Sequence, residues 1–127
     1  MEEHPNATVL RTVTESTNVG DMQAMAELLA DDVEWHEIGR AEPTIGKAAL
    51  AERYMGASPP DWEITGTELH DVVANDDHAI ALVTAHARRG DKTLTYRTAE
   101  IVHIKDGKIT ARWAFSDDTA AINAFFG

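Results

Sequence analysis

Two glutamates set among apolar residues, Glu37 and Glu100, are the side chains of this chain best suited to moving protons. Glu37 closes the run Val33-Glu34-Trp35-His36-Glu37, where strand alternation puts it on the face of Val33 and Trp35. Glu100 interrupts a β-prone run in the last third of the chain. An apolar pocket penalises an ionised carboxyl and so raises its pKa toward the range useful for general acid and base work. His70 is a third titratable candidate, and Trp35, Tyr54, Trp62 and Trp113 are aromatics that could hold an apolar ligand against the carboxyls. Each has a plainer reading. Glu37 could be a solvated strand end, Glu100 the partner of an arginine such as Arg112 or Arg53, and His70 a satisfied strand histidine. Tyr54 could be core with its hydroxyl at a pocket edge.

Other chemistries fit the residues poorly. The chain has no cysteine, which removes disulfides, thiolate catalysis and cysteine-based metal sites. His70, His78 and His86 recur at an even spacing, yet in an extended strand His78 and His86 would lie ~27 Å apart, beyond shared coordination. No HExxH, EF-hand, GxGxxG or GxxxxGK[ST] pattern occurs, and Ser16, Ser58 and Ser116 lie in no nucleophile-elbow context. A site without metal or cofactor is the economical expectation. The formal net charge of −11 disfavours nucleic acid and an anionic membrane surface. A small molecule or a second copy of the chain is the expected partner. The opening MEEHPNATVL has no apolar core of a signal segment, and no run is long enough to span a membrane, so a cytoplasmic protein is expected.

The elements that must position these residues follow from periodicity. With 127 residues, 43% of them hydrophobic, the chain reads as one domain over 1–127. Asn6 is expected to cap a helix running to Asn18, stopped by Gly20 in a left-handed conformation. Asp21 caps a second helix, whose Met22, Met25, Leu28 and Leu29 form an apolar stripe ended by Asp31-Asp32. Val33 to Glu37 follows as a short strand, and Gly46 opens a third helix that stacks Leu50 on Tyr54. Trp62–Ala74, His78–Arg89 and two strands around Asp106-Gly107 form an antiparallel meander, with a bend or bulge at Gly66. A short terminal helix carries Ile122, Phe125 and Phe126. The class is α+β, with helices on one side of a curved sheet.

Asp-Gly between alternating apolar residues is a strong hairpin signal, because both central residues of a type I′ turn need positive φ. Counting outward from that turn pairs Ile104 with Ile109, Val102 with Ala111, Glu100 with Trp113 and Thr98 with Phe115. Two-residue loops at the earlier turns would set Ala81 opposite Glu100 and His70 opposite Ala81. Ala79, Ala81, Val83, Ala85 and Ala87 would then make a floor of small side chains, leaving room for a pocket. One bulge would flip this parity and bring in His86 instead of His70. The opposite sheet face, with Ile80, Leu82, Thr84, His86, Arg97, Ile101, His103 and Arg112, has the mixed character of a two-fold homodimer interface.

The LADDVEW segment, the Gly46 helix ending in Tyr54 and the hairpin IVHIKDGKITARWAFSD resemble the nuclear transport factor 2-like superfamily over nearly the whole chain. The nearest branch is that of SnoaL-like polyketide cyclases and ketosteroid-isomerase-like proteins. The resemblance implies a cone, a strongly bent antiparallel sheet wrapped around N-terminal helices with an internal pocket, and homodimers. In ketosteroid isomerase an Asp base works with a Tyr and a protonated Asp. By resemblance the base falls on Glu37 and the protonated acid on Glu100, while the tyrosine position falls near Thr12 or Val13, so that donor is missing. Limonene epoxide hydrolases would need an acid where this chain has Ala114. The implied function is a cofactor-independent isomerase, cyclase or lyase acting on a small hydrophobic carbonyl compound. Glu37 is its base, protonated Glu100 and His70 its donors, and the aromatics hold the substrate. The alternative is a non-catalytic pocket protein binding a small apolar metabolite.

Overall fold

The computed structural model describes residues 3–127. In chain order the elements are α1 (Pro5–Val19), α2 (Met22–Glu27), β1 (Leu29–Trp35), β2 (Thr44–Ile45), α3 (Lys47–Met55), β3 (Glu63–Ala74), β4 (His78–Arg89), β5 (Lys92–Lys105), β6 (Lys108–Ser116) and α4 (Thr119–Phe126). The strands form one open, mostly antiparallel sheet in the order β2-β1-β6-β5-β4-β3, with β1 parallel to β6. The expected α+β class holds, and Leu10 and Val13 of α1 pack onto Val33, Ala79, Ala81, Val83, Val102 and Ile109 of the sheet.

Most element boundaries follow local chemistry. Gly20 ends α1 at φ 73° and the Asp21 carboxylate caps α2 by accepting from Ala24 N at 3.0 Å. At the start of α1 it is His4, not Asn6, that caps, accepting from Asn6 N at 3.1 Å. Asp31 and Asp32 do not end the second helix as expected: α2 has already ended at Glu27, and both aspartates lie exposed within β1, which stops at Trp35 and leaves Glu37 in the following loop rather than at the strand end. The Asp106-Gly107 turn has positive φ at both residues, 52° and 76°, as a type I′ hairpin requires.

Register is where the expectation fails. The β4–β5 pairing is as counted, with Ala81 opposite Glu100, and Ile104 faces Ile109. Between Ile104 and His103 the β5–β6 ladder shifts by one residue, so Thr110 is extra on β6 and every later side chain changes face. Glu100 therefore lies opposite Ala114 rather than Trp113, and Val102 opposite Arg112. A second bulge in β3 makes His70 the extra residue between the Leu69–Val83 and Asp71–Leu82 pairs. A further shift falls between Ile64 and Gly66, at the expected bend. His86 stays on the outer face as well, where its ring contacts Thr95 and Glu68.

α4 lies against the open end of the sheet through side chains: Phe126 meets Trp62 and Tyr96 edge-on, and the Arg89 guanidinium donates to the carbonyls of Phe125 and Gly127. Gly39 in the loop after β1 has φ 80°, and an added Cβ would reach Asn123 Oδ1 of α4. Gly39→Ala is expected to cost about 1 kcal/mol from the left-handed backbone, seen as a lower urea midpoint. The crowding should also shift Trp62 fluorescence by moving α4, and Asn123→Ala should reverse the fluorescence change but not the stability loss.

Candidate functional site

The concave side of the sheet, α1, α3, α4 and the loop after β1 enclose a cavity of about 470 Å³. Its apolar wall includes Leu10, Val13, Met25, Ile38 and Ile122, and Val83 and Ala85 supply the expected small-residue floor. Ala79 and Ala81 belong instead to the packed core. Five of the seven sequence-derived site residues line the cavity: Glu37, Glu100, Trp35, Tyr54 and Trp62. His70 does not, because the β3 bulge turns its ring outward to Thr84 Oγ1, 2.7 Å away. Trp113 does not either: the Thr110 bulge puts it on the convex face, stacked on His36 with ring centroids 4.9 Å apart. The same bulge turns Arg112 inward, contrary to its expected place on the outer face.

Polar groups gather in two places inside the cavity. At the first, the Glu37 side chain, 14% exposed, accepts from the Tyr54 hydroxyl on Oε1 and from Arg40 Nη1 and Arg53 Nε on Oε2, the last at 2.9 Å. α3 supplies Tyr54 and Arg53 from adjacent positions at its C-terminal end, and the loop supplies Arg40. Burial alone would push the Glu37 carboxyl up, but the hydrogen bonds from Tyr54, Arg40 and Arg53 prevail and hold it below the ordinary carboxylate range. Burial and the bond to ionised Glu37 in turn push the Tyr54 hydroxyl well above its ordinary value, so Tyr54 is a neutral donor.

At the second, Arg112 Nη2 donates to Glu100 Oε1 at 2.6 Å and Nη1 to the His36 carbonyl at 2.9 Å, while the guanidinium lies 4.8 Å from the Trp35 ring centroid. Glu100 is thus paired to Arg112, the plainer of its two readings. Two inward neighbours on β5 escaped the sequence reading. Burial pushes the Tyr96 hydroxyl up to about 12, so it too is a neutral donor. Thr98 is buried, and among the described residues its hydroxyl has no hydrogen-bond partner. The signal for both was present, since Tyr96, Thr98 and Glu100 share one strand face by simple alternation. No group of three or more His, Asp or Glu side chains among the described residues converges as metal ligands would.

A family model for the SnoaL-like domain matches residues 10–112, a span that includes both polar clusters. The chain belongs to the SnoaL-like domain family. An uncharacterised protein of Mycobacterium tuberculosis is 32% identical over 119 residues, covering 84% of this chain and 85% of its own length. Among solved structures, Bal32a from a soil-derived mobile gene cassette superposes with a TM-score of 0.81 at 24% identity, covering 97% of each chain. An epoxide hydrolase of the limonene type from M. tuberculosis superposes with 0.72 at 16% identity, covering 94% of this chain and 87% of its own. Isomerase-like and polyketide-cyclase-like proteins share the fold as well. The resemblance seen in the sequence is therefore borne out, and at these identities the solved structures establish the fold of this SnoaL-like domain alone.

Glu37→Gln should destabilise the protein by about 1–3 kcal/mol near neutral pH, because it leaves Arg53 without its charged partner. A folded pKa below the unfolded one means the unfolded chain binds more protons between the two values. The Glu37 contribution is therefore complete above the unfolded value of about 4.3 and is lost as pH falls through the folded value. Urea titrations at stepped acidic pH should show that acid-side slope in the wild type and a flatter one in Glu37→Gln. Tyr54→Phe removes a donor to Oε1, so the Glu37 carboxyl should titrate higher by carbon-13 NMR.

Proposed function

We propose that the protein is a pocket protein that binds one small, mostly apolar molecule carrying an oxygen function inside the cone. The buried Thr98 hydroxyl carries this reading: it faces the cavity beside the neutral Tyr96 and has no protein partner among the described residues. Burying an unpaired hydroxyl costs free energy that a bound acceptor or donor would recover. The cavity size and apolar wall suit a ligand of one or two fused or linked rings.

A second reading, acid/base catalysis of isomerase, cyclase or lyase type on a carbonyl compound, is favoured by Glu37. It is ionised, and the neutral Tyr54 hydroxyl lies beside it on the same cavity wall. Against it, both Glu37 oxygens already accept strong hydrogen bonds, which weakens the carboxylate as a base. The two readings separate in deuterated water. Binding of 2-tetralone followed by NMR without exchange of its α-hydrogens supports the binding protein. Exchange that disappears in Glu37→Gln supports the catalyst, and no binding of this ketone or of its alcohol would sink both.

The convex face pairs with a second copy in this proposal. Val73, Ile80, Ile101 and Trp113 form one row across four strands, with Leu82, Ala99 and Phe115 in the next. Leu82 and Phe115 are about half exposed, at 49% and 59%. Sedimentation equilibrium should give a dimer at micromolar concentration that Leu82→Glu converts to monomer. A monomeric wild type would refute the pairing.

A further inference from the structure

We propose that the ligand of the cavity is an apolar carboxylic acid, its carboxylate held by Arg40 and Arg53; this rests on the binding reading above and names the ligand class. Arg40 Nη1 and the Nε and Nη2 of Arg53 all converge on a single oxygen, Oε2 of Glu37. Glu37 takes only part of each guanidinium's donor set; Arg40 has no other side-chain hydrogen bond or ion pair among the described residues, and Arg53 adds only its neighbour Tyr54. Two cations on one carboxylate leave a surplus positive charge at this end of the cavity.

The other ionised groups in the wall do not cancel it. Arg112 and Glu100 pair with each other, and the Glu63 carboxylate is taken by Arg88, which lies outside the wall. Three of the seven arginines in a chain of net charge −11 thus line this one cavity. The surplus is local, against the sign of the whole molecule, as expected of a built anion subsite rather than of general attraction. The Arg53 and Arg40 side chains are 31% and 44% exposed, so an entering anion meets them without unfolding the wall. Planar guanidiniums recognise a carboxylate by paired N–H donors, and the partly desolvated setting strengthens those bonds. The remaining wall, with Leu10, Val13, Met25 and Ile122, requires that the rest of the acid be apolar.

Isothermal titration calorimetry of the full chain with biphenyl-4-carboxylate and biphenyl-4-carboxamide tests the inference. The carboxylate should bind roughly tenfold tighter or better. Arg40→Gln should remove most of that advantage, weakening the carboxylate far more than the amide. Arg53→Gln should do the same, and thermal melts would verify that both variants fold. Equal affinity for acid and amide, or an advantage that survives both substitutions, overturns the carboxylate subsite and leaves the binding reading standing. Failure of both probes to bind overturns the two together.

Discussion

A carboxylate inside an apolar cone is tolerable only with a cation and hydrogen bonds around it, and this constraint organises the interior of the protein. Glu37 and Glu100 both point into the cavity, so each must bring a partner with it. For Glu37 the partners come from α3 and the loop after β1, which ties the end of α3 to the end of β1. For Glu100 the partner is Arg112, and Arg112 faces inward only because Thr110 is an extra residue in β6. The hairpin bulge, the ion pair and the shape of the cavity are one structural decision.

That decision also sorts the aromatics. The residues that the bulge turns outward, Trp113 and Phe115, join Ile80, Leu82 and Ile101 on the convex face, where Trp113 contacts both His36 and His103. The tryptophans left inside are Trp35, under Arg112, and Trp62, held against Tyr54 and Phe126. The concave face keeps small side chains at Val83 and Ala85 where a filled core would place larger ones. Space and polarity therefore occur together, with donors from Tyr54, Tyr96 and Thr98 facing a volume bounded mostly by apolar carbon.

Much of this was legible in the sequence. The Asp21 cap of α2, the left-handed Gly20, the Asp106-Gly107 turn and the strand spans of the meander depend on residues within a few positions of one another, and local chemistry decides them. The α+β class, the Ala81–Glu100 pairing and the inward placement of Glu100, Trp35 and Tyr54 follow from period-two and period-3.6 patterns propagated over short distances, whereas Glu37 and Trp62 enter the cavity from loops next to β1 and β3. Tertiary structure decided the bulges at Thr110 and His70, and with them the exchange of Trp113 and His70 for Arg112. A bulge leaves almost no local signature. Alternation in β6 favours the register without a bulge, which would put Ile109, Ala111, Trp113 and Phe115 together on the inner face, so the pattern pointed the wrong way. What chose was the need to give Glu100 a counter-ion and β1 a parallel neighbour in register with Arg112, contacts made between segments far apart in the chain.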